Sequence, residues 1–276
     1  MNLTTSPVTS SVTSLLCGIE LEPREFAAFQ RLIYELAGIS LSSSKHALVQ
    51  SRLTKRLRAL KLDSFAEYLL VIEDPRSPER ELFINALTTN KTEFFREAHH
   101  FAFLRKRLFP ELRERARVTG ERRLRLWCAA SSSGEEPYSL AMTIMEEFGD
   151  EAGWDIKVLA TDIDTNMLER ASAGLYDEMA VEYLPDYYRQ KYLHAKADGG
   201  FAVNEALKRF IVFRKLNLNQ PPWPIQTKFD AIFCRNVMIY FDQATQHRLV
   251  EGMTNLLSPG GYLIIKNTSI ISSANT

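Results

Sequence analysis

At 276 residues the chain is long enough for one large or two smaller domains and can bury a full core without cross-links. Its 34 Lys and Arg balance 34 Asp and Glu, so nothing in its overall charge draws it to nucleic acid or to an anionic membrane, and no apolar run approaches the roughly 18 residues of a membrane span. Cys17, Cys128 and Cys234 are an odd set at wide spacing without a CxxC or HExxH pattern, which points to reduced thiols in a cytoplasmic protein and away from a disulfide framework or a structural metal.

Residues 1–18 are rich in Ser and Thr and lack the basic start and apolar centre of a secretory signal; a disordered tail is expected there. Residues 19–88 then carry helical periodicity throughout and read as an all-α N-terminal domain. Phe26, Phe29, Ile33 and Leu36 share one face of a first helix that Gly38 stops. A second helix spans about Lys45 to Leu60, with Val49, Leu53, Leu57 and Leu60 as its apolar stripe. Lys45, Arg52, Lys55, Arg56, Arg58 and Lys61 fill most of its remaining circumference with no acidic residue between them. Such a face is either solvated, with long stems covering its edges, or a docking surface for an acidic partner, and Arg52, Lys55, Arg56 and Arg58 are the candidate docking residues. A helix from Asp63, a loop at Asp74–Pro78 and a helix over Glu79–Leu87 complete the bundle.

Residues 89–120 read as a linker and connecting helix, and 121–276 as an α/β domain. Strands are predicted at Leu124–Ala130, Lys157–Thr161, Phe210–Lys215, Asp230–Cys234 and Tyr262–Ile265, with helices at Tyr138–Phe148, Asn166–Ala173 and Gln243–Leu257. Strand and helix in turn mean a parallel sheet covered on both faces. Residues 176–209 interrupt the alternation with an aromatic, charged stretch around the hairpin turn Asp198-Gly199-Gly200, which predicts a small inserted antiparallel lobe.

In an open parallel sheet a ligand lies beyond the carboxyl ends of the strands. Those ends carry Ser131 to Glu136, Asp162 to Asp164, Asn217 to Asn219, and Arg235-Asn236. The loop Ser131–Gly134 has neither GxGxxG nor GxxxxGK[ST] spacing, and Glu135 and Glu136 at the following helix start would repel a polyphosphate. Asp162, closing the second strand, stands where an adenosine ribose is held by its hydroxyls, while Asp164 suits a helix cap. A ribose acceptor beside a carboxylate-bearing loop favours S-adenosylmethionine over NAD or ATP, with its ammonium and sulfonium facing Glu135 or Glu136. The fold expected is thus a Rossmann-like S-adenosylmethionine-dependent methyltransferase sheet with a small β lobe, preceded by helices.

The strings Thr89–Phe101 (TNKTEFFREAHHF), Ala130–Ser139 (ASSSGEEPYS), Ala160–Thr165 (ATDIDT) and Phe229–Asp242 (FDAIFCRNVMIYFD) resemble the CheR family, the chemotaxis receptor glutamate O-methyltransferases, in the right order from about Glu20 to Ile265. The resemblance implies methyl transfer from S-adenosylmethionine to glutamate carboxylates on the cytoplasmic helices of chemoreceptors, with S-adenosylhomocysteine as product. It further implies that Asn90, Thr92 and Arg96 line the cofactor and reaction centre, that Glu135 or Glu136 together with Asp162 hold the cofactor, and that Asn217 and Leu218 frame its adenine. Arg235, Asn236 and Tyr240 then complete the site near the methyl, with Arg96 and Tyr240 as the catalytic, acceptor-orienting pair. A cytoplasmic monomer without nucleic-acid or membrane partners is expected. Where the family has Gly-His-Ser-Glu after the late strand, this chain has Lys266-Asn267-Thr268-Ser269. That departure keeps open a cofactor-binding module without turnover, beside a methyltransferase for another protein acceptor.

Overall fold

Apolar residues three and four apart wind the N-terminal segment into α1 (Pro23–Ala37), α2 (His46–Leu60), α3 (Phe65–Glu73) and α4 (Glu79–Leu87) in the computed structural model, which describes residues 19–149, 151–265 and 270–272. A reciprocal capping box between Glu22 and Glu25 starts α1, and Gly38, at φ 72°, ends it. Phe29 and Ile33 meet Leu53, Leu57, Tyr68 and Phe83 in one core. Leu60, placed on the apolar stripe by its spacing, is 37% exposed at the end of α2.

Two of the predicted docking cations belong to this interior. The Arg56 guanidinium grips Glu79 through Nε and Nη2 at 2.8 and 2.9 Å, and the Tyr68 hydroxyl donates to the same carboxylate at 2.9 Å. Glu79 is buried, and burial together with its charge pushes the Tyr68 phenol pKa up, so the phenol remains a donor. Arg52 donates to the carbonyls of Leu87 and Thr88 at 3.0 and 2.6 Å, satisfying acceptors that the end of α4 leaves open. The expectation for Arg52 and Arg56 is therefore corrected: a helix that packs on its neighbours turns its flanking cations to orphan carbonyls and a buried carboxylate. Lys55 and Arg58 remain exposed.

The connection runs through α5 (His99–Phe103), a π-helical turn at Leu104–Leu108 and α6 (Phe109–Thr119). There follow β1 (Arg123–Cys128), α7 (Glu135–Phe148), β2 (Asp155–Asp162), α8 (Thr165–Ala173), β3 (Leu175–Tyr176), α9 (Glu178–Val181), α10 (Asp186–Tyr192), β4 (Leu193–Ala195), β5 (Phe201–Val203), α11 (Glu205–Lys208), β6 (Ile211–Lys215), β7 (Phe229–Phe233), α12 (Gln243–Thr254), β8 (Leu257–Ile264) and β9 (Ile270–Ser272). The main sheet has the order β6-β2-β1-β7-β8-β9, parallel except for β9 against β8. A second, antiparallel sheet, β3-β5-β4, forms the inserted lobe around Asp198-Gly199-Gly200. Strand order reverses between β1 and β7, which creates a crevice at their carboxyl ends. Asp230, buried in β7, accepts from Arg115 of α6 at 2.8 Å and from the Arg125 backbone N–H at 2.7 Å, locking the connecting helix to the sheet. No helix among the described residues is long and apolar enough to cross a membrane.

β8 begins at Leu257, where helix was expected, because Pro259-Gly260 sits inside the strand rather than in a turn. Gly260 takes φ 74°, and the register with β7 shifts between Phe229 and Ala231. Removing one partner of the buried pair tests the bundle: Arg56→Ala should lower the unfolding free energy in urea by about 3 kcal/mol, and Arg56→Ala with Glu79→Gln should recover part of it.

Candidate ligand site

The loop from β1 to α7 is shaped by its small residues. Gly134 has φ 100°, and a Cβ there would lie 2.8 Å from the Tyr176 hydroxyl and 2.9 Å from the Ala171 methyl. Ser132 is also left-handed, at φ 47°, and directs its N–H to Asp162 Oδ2 at 2.8 Å. The Asp164 N–H binds Oδ1 of the same carboxylate at 2.9 Å. Asp162 is thereby fixed at the end of β2; burial raises its pKa, and those N–H donors partly oppose the rise. Ser131 N–H is taken by the Thr161 carbonyl at 2.9 Å, so these two amides serve the sheet and Asp162 rather than a phosphate.

Successive helical residues diverge by about 100°, which separates Glu135 from Glu136. Glu135 turns inward: the Ser133 hydroxyl lies 2.8 and 3.0 Å from its two oxygens, it is buried, and burial raises its pKa. It does not line the cavity, so of the two glutamates offered by the sequence Glu135 is removed from the ligand site. Glu136 does line it, held by the Cys128 thiol on Oε1 at 3.1 Å and by Arg235 Nη1 on Oε2 at 2.8 Å.

Arg235 is almost fully buried, and its guanidinium joins three segments: it pairs with Glu136, donates to the Arg96 carbonyl, and lies 3.4 Å from Glu97 and 5.7 Å from the Phe101 ring centre. Burial works to raise the Glu97 pKa, but Arg235, Asn236 and His100 outweigh it and hold the carboxyl below its ordinary value. Phe95, Glu97 and Asn236 all take left-handed φ between 53° and 57° around this cluster, a conformation costly for residues other than glycine.

The linker is bolted to the sheet. Thr88 and Asn90 both donate to Asp164 Oδ2, at 2.6 and 2.7 Å, while Asp164 Oδ1 caps α8 through the N–H groups of Asn166 and Met167. Asn90 therefore borders the cavity with a side-chain donor already engaged, and its carbonyl accepts from Ser132. On the opposite wall Asn217 donates to the Leu36 carbonyl at 2.6 Å and Ser40 N–H to the Tyr240 carbonyl at 2.8 Å. Tyr34 reaches Asp242 at 2.6 Å. The helical domain is thus one side of the site.

The cavity measures about 610 Å³. Asn90, Thr92, Arg96, Glu136, Asp162, Asn217, Leu218, Arg235, Asn236 and Tyr240, all expected at a ligand, line it. Sequence reasoning missed Ile39, Leu41, Lys45, Leu48 and Lys91, which also line it. Apolar residues of a helical bundle look like core, and nothing in their spacing tells which face a cleft; an exposed Lys in the Thr89–Phe101 string was the one available signal. The carboxylates of Asp162 and Glu136, with Arg235 paired to the latter, occupy the more buried side and the exposed cations Lys45 and Lys91 the rim, with half-buried Arg96 between. Neither His nor Cys appears among the described lining residues. Lys55 and Arg58 lie elsewhere, with His46, Gln50 and Thr54, along a shallow groove on α2. Lys266–Ser269 lies outside the described residues.

Two family models match the chain: CheR methyltransferase, all-alpha domain, over residues 24–88, and CheR methyltransferase, SAM binding domain, over 90–276. The chain is 44% identical over 245 residues to the probable chemotaxis protein methyltransferase of Rhizobium etli, covering 87% of this chain and 90% of that one. It is 45% identical over 243 residues to chemotaxis protein methyltransferase 2 of Pseudomonas aeruginosa, with 86% and 83% covered. Against the chemotaxis protein methyltransferase of Escherichia coli K12 the identity is 42% over 269 residues, with 94% and 90% covered.

Arg235→Ala would strand the half-buried carboxylates of Glu136 and Glu97 and is expected to cost about 3 kcal/mol of unfolding free energy. Arg235→Lys, which cannot reach Glu136 and the Arg96 carbonyl together, should fall between that variant and the parent in the same urea titration.

Proposed function

Because the chain belongs to the CheR methyltransferase family, we propose that it moves a methyl group from S-adenosylmethionine to glutamate side-chain carboxylates of chemoreceptors, forming methyl esters. The observation that carries this reading is the placing of charge around one cavity: Asp162 and the Arg235-paired Glu136 on its more buried, deep side, exposed Lys45 and Lys91 toward solvent, and half-buried Arg96 between. The deep side fits the cofactor. Asp162, with both oxygens already oriented by backbone N–H groups, accepts ribose hydroxyls; Glu136 faces the ammonium of the amino-acid part; Leu218 and the Asn217 backbone frame the adenine.

When bound, S-adenosylmethionine supplies an electrophilic methyl on a positively charged sulfur. The protein's own share is binding, alignment and exclusion of water. Ile39, Leu41, Leu48, Val237 and Ile239 give the cavity an apolar lining, which keeps solvent from an anion that must attack unsolvated. Arg96 meets the acceptor carboxylate and is itself steadied by donating to the Lys91 carbonyl at 2.9 Å; Tyr240 closes the opposite side. A glutamate with an ordinary pKa of about 4.3 is ionised at neutral pH and needs no general base. A cavity wall without His or Cys among its described residues suits that chemistry. The exposed Lys55 and Arg58 on α2 offer an electrostatic approach to an acidic receptor helix.

Calorimetric titration with S-adenosylhomocysteine, followed by transfer of labelled methyl to chemoreceptor-containing membranes scored as base-labile methanol, tests the whole reading. Binding with labile label supports it; binding with label that survives base moves the acceptor away from a carboxylate, and absence of binding removes the cofactor assignment. Arg96→Ala should lower kcat/KM for receptor by about 10²-fold, as loss of alignment does, with S-adenosylhomocysteine affinity little changed. Exchanging Lys55 and Arg58 for Glu should depress receptor methylation at low salt, the deficit shrinking as ionic strength rises.

The pH dependence of cofactor binding has a definite sign. Asp162 starts with a raised pKa, and ribose hydroxyls favour its ionised form, so affinity should fall as pH drops through that raised value. Asp162→Asn should bind more weakly at neutral pH and lose the acid limb in the same titration.

A further inference from the structure

We propose that Cys128 is a positioning residue whose thiol sets the orientation of the Glu136 carboxylate for the amino-acid part of the cofactor, an inference that rests on the assignment of Glu136 made above. Cys128 ends β1 with no exposed surface, and its Sγ donates to Glu136 Oε1 at 3.1 Å, while Arg235 donates to Oε2 at 2.8 Å. With one donor on each oxygen the plane of the carboxylate is fixed. The two donors are unlike in kind. Arg235 brings a full positive charge that stabilises a buried anion; a thiol brings a weak, neutral donor. Oε1 therefore keeps both its charge and spare acceptor capacity, and these are what an ammonium requires. A second cation in place of the thiol would neutralise the carboxylate and repel the ligand. Burial and the adjacent Glu136 charge keep the Cys128 thiol protonated, which preserves its role as donor.

An internal control exists. Cys234, at the end of the neighbouring β7, is equally buried but packs in the apolar cluster with Trp127 and Ala129. If buried thiols serve only to fill space here, the two cysteines should behave alike on substitution.

The test compares two ligands by calorimetry on the full chain: S-adenosylhomocysteine, and 5′-methylthioadenosine, which has the same nucleoside but lacks the ammonium and carboxylate. Cys128→Ala should weaken S-adenosylhomocysteine by about fivefold, the size of one hydrogen bond, and leave methylthioadenosine unchanged. Cys128→Ser, which restores a donor, should return the first ligand to within about twofold of the parent, and Cys234→Ala should leave the ratio of the two affinities where it was. Equal weakening of both ligands by Cys128→Ala, or no change in either, would overturn the inference while leaving the cofactor assignment intact. A parent protein that binds neither ligand would instead overturn the assignment on which it rests.

Discussion

The buried guanidinium of Arg235 is the constraint around which the site is arranged. A charge removed from water is tolerated only when its hydrogen-bond directions are met by anions and carbonyls. Its two terminal nitrogens are met in this way, by Glu136 and the Arg96 carbonyl, and that draws together the end of β7, the first turn of α7 and the linker at Arg96-Glu97. The left-handed residues Phe95, Glu97 and Asn236 surround this contact, so local backbone strain is offset by electrostatics where three segments meet. Arg235 lines the cavity, but its donors toward Glu136 and the linker are committed to protein partners.

The second constraint is the seam between helices and sheet. Asp164 serves both sides with one carboxylate, one oxygen for the start of α8 and the other for the linker residues Thr88 and Asn90. Across the cavity, backbone acceptors at Leu36 and Tyr240 close the opposite flank. These contacts hold α1 and the start of α2 over the crevice made by the strand reversal between β1 and β7. A site that the sheet would leave open becomes a cavity because helices cover it.

Much of this was legible in the sequence. Alternation of strands and helices placed the sheet, and polar residues at strand ends named the charged and polar part of the wall that the sheet contributes, because strand ends converge in any doubly wound sheet. What periodicity cannot see is where a side chain turns after leaving its element. Glu135 and Glu136 are equivalent in the sequence; only the docking of α7 sends one to Ser133 and the other to the cavity. Arg52 and Arg56 read as candidates for docking on a cationic face because their partners, the end of α4 and Glu79, lie more than twenty positions away. The β8 strand was cut short in the sequence reading because Pro259-Gly260 has the composition of a turn and the geometry of a bulge.

The cationic rim has a consequence for how a cycle ends. For a carboxylate acceptor, Lys45, Lys91 and Arg96 offer attraction only as long as the acceptor is charged, and a methyl ester has no charge to give them. On the function proposed above, methylation would therefore remove the charge that the rim attracts, and discharge of the modified side chain would need no separate gate.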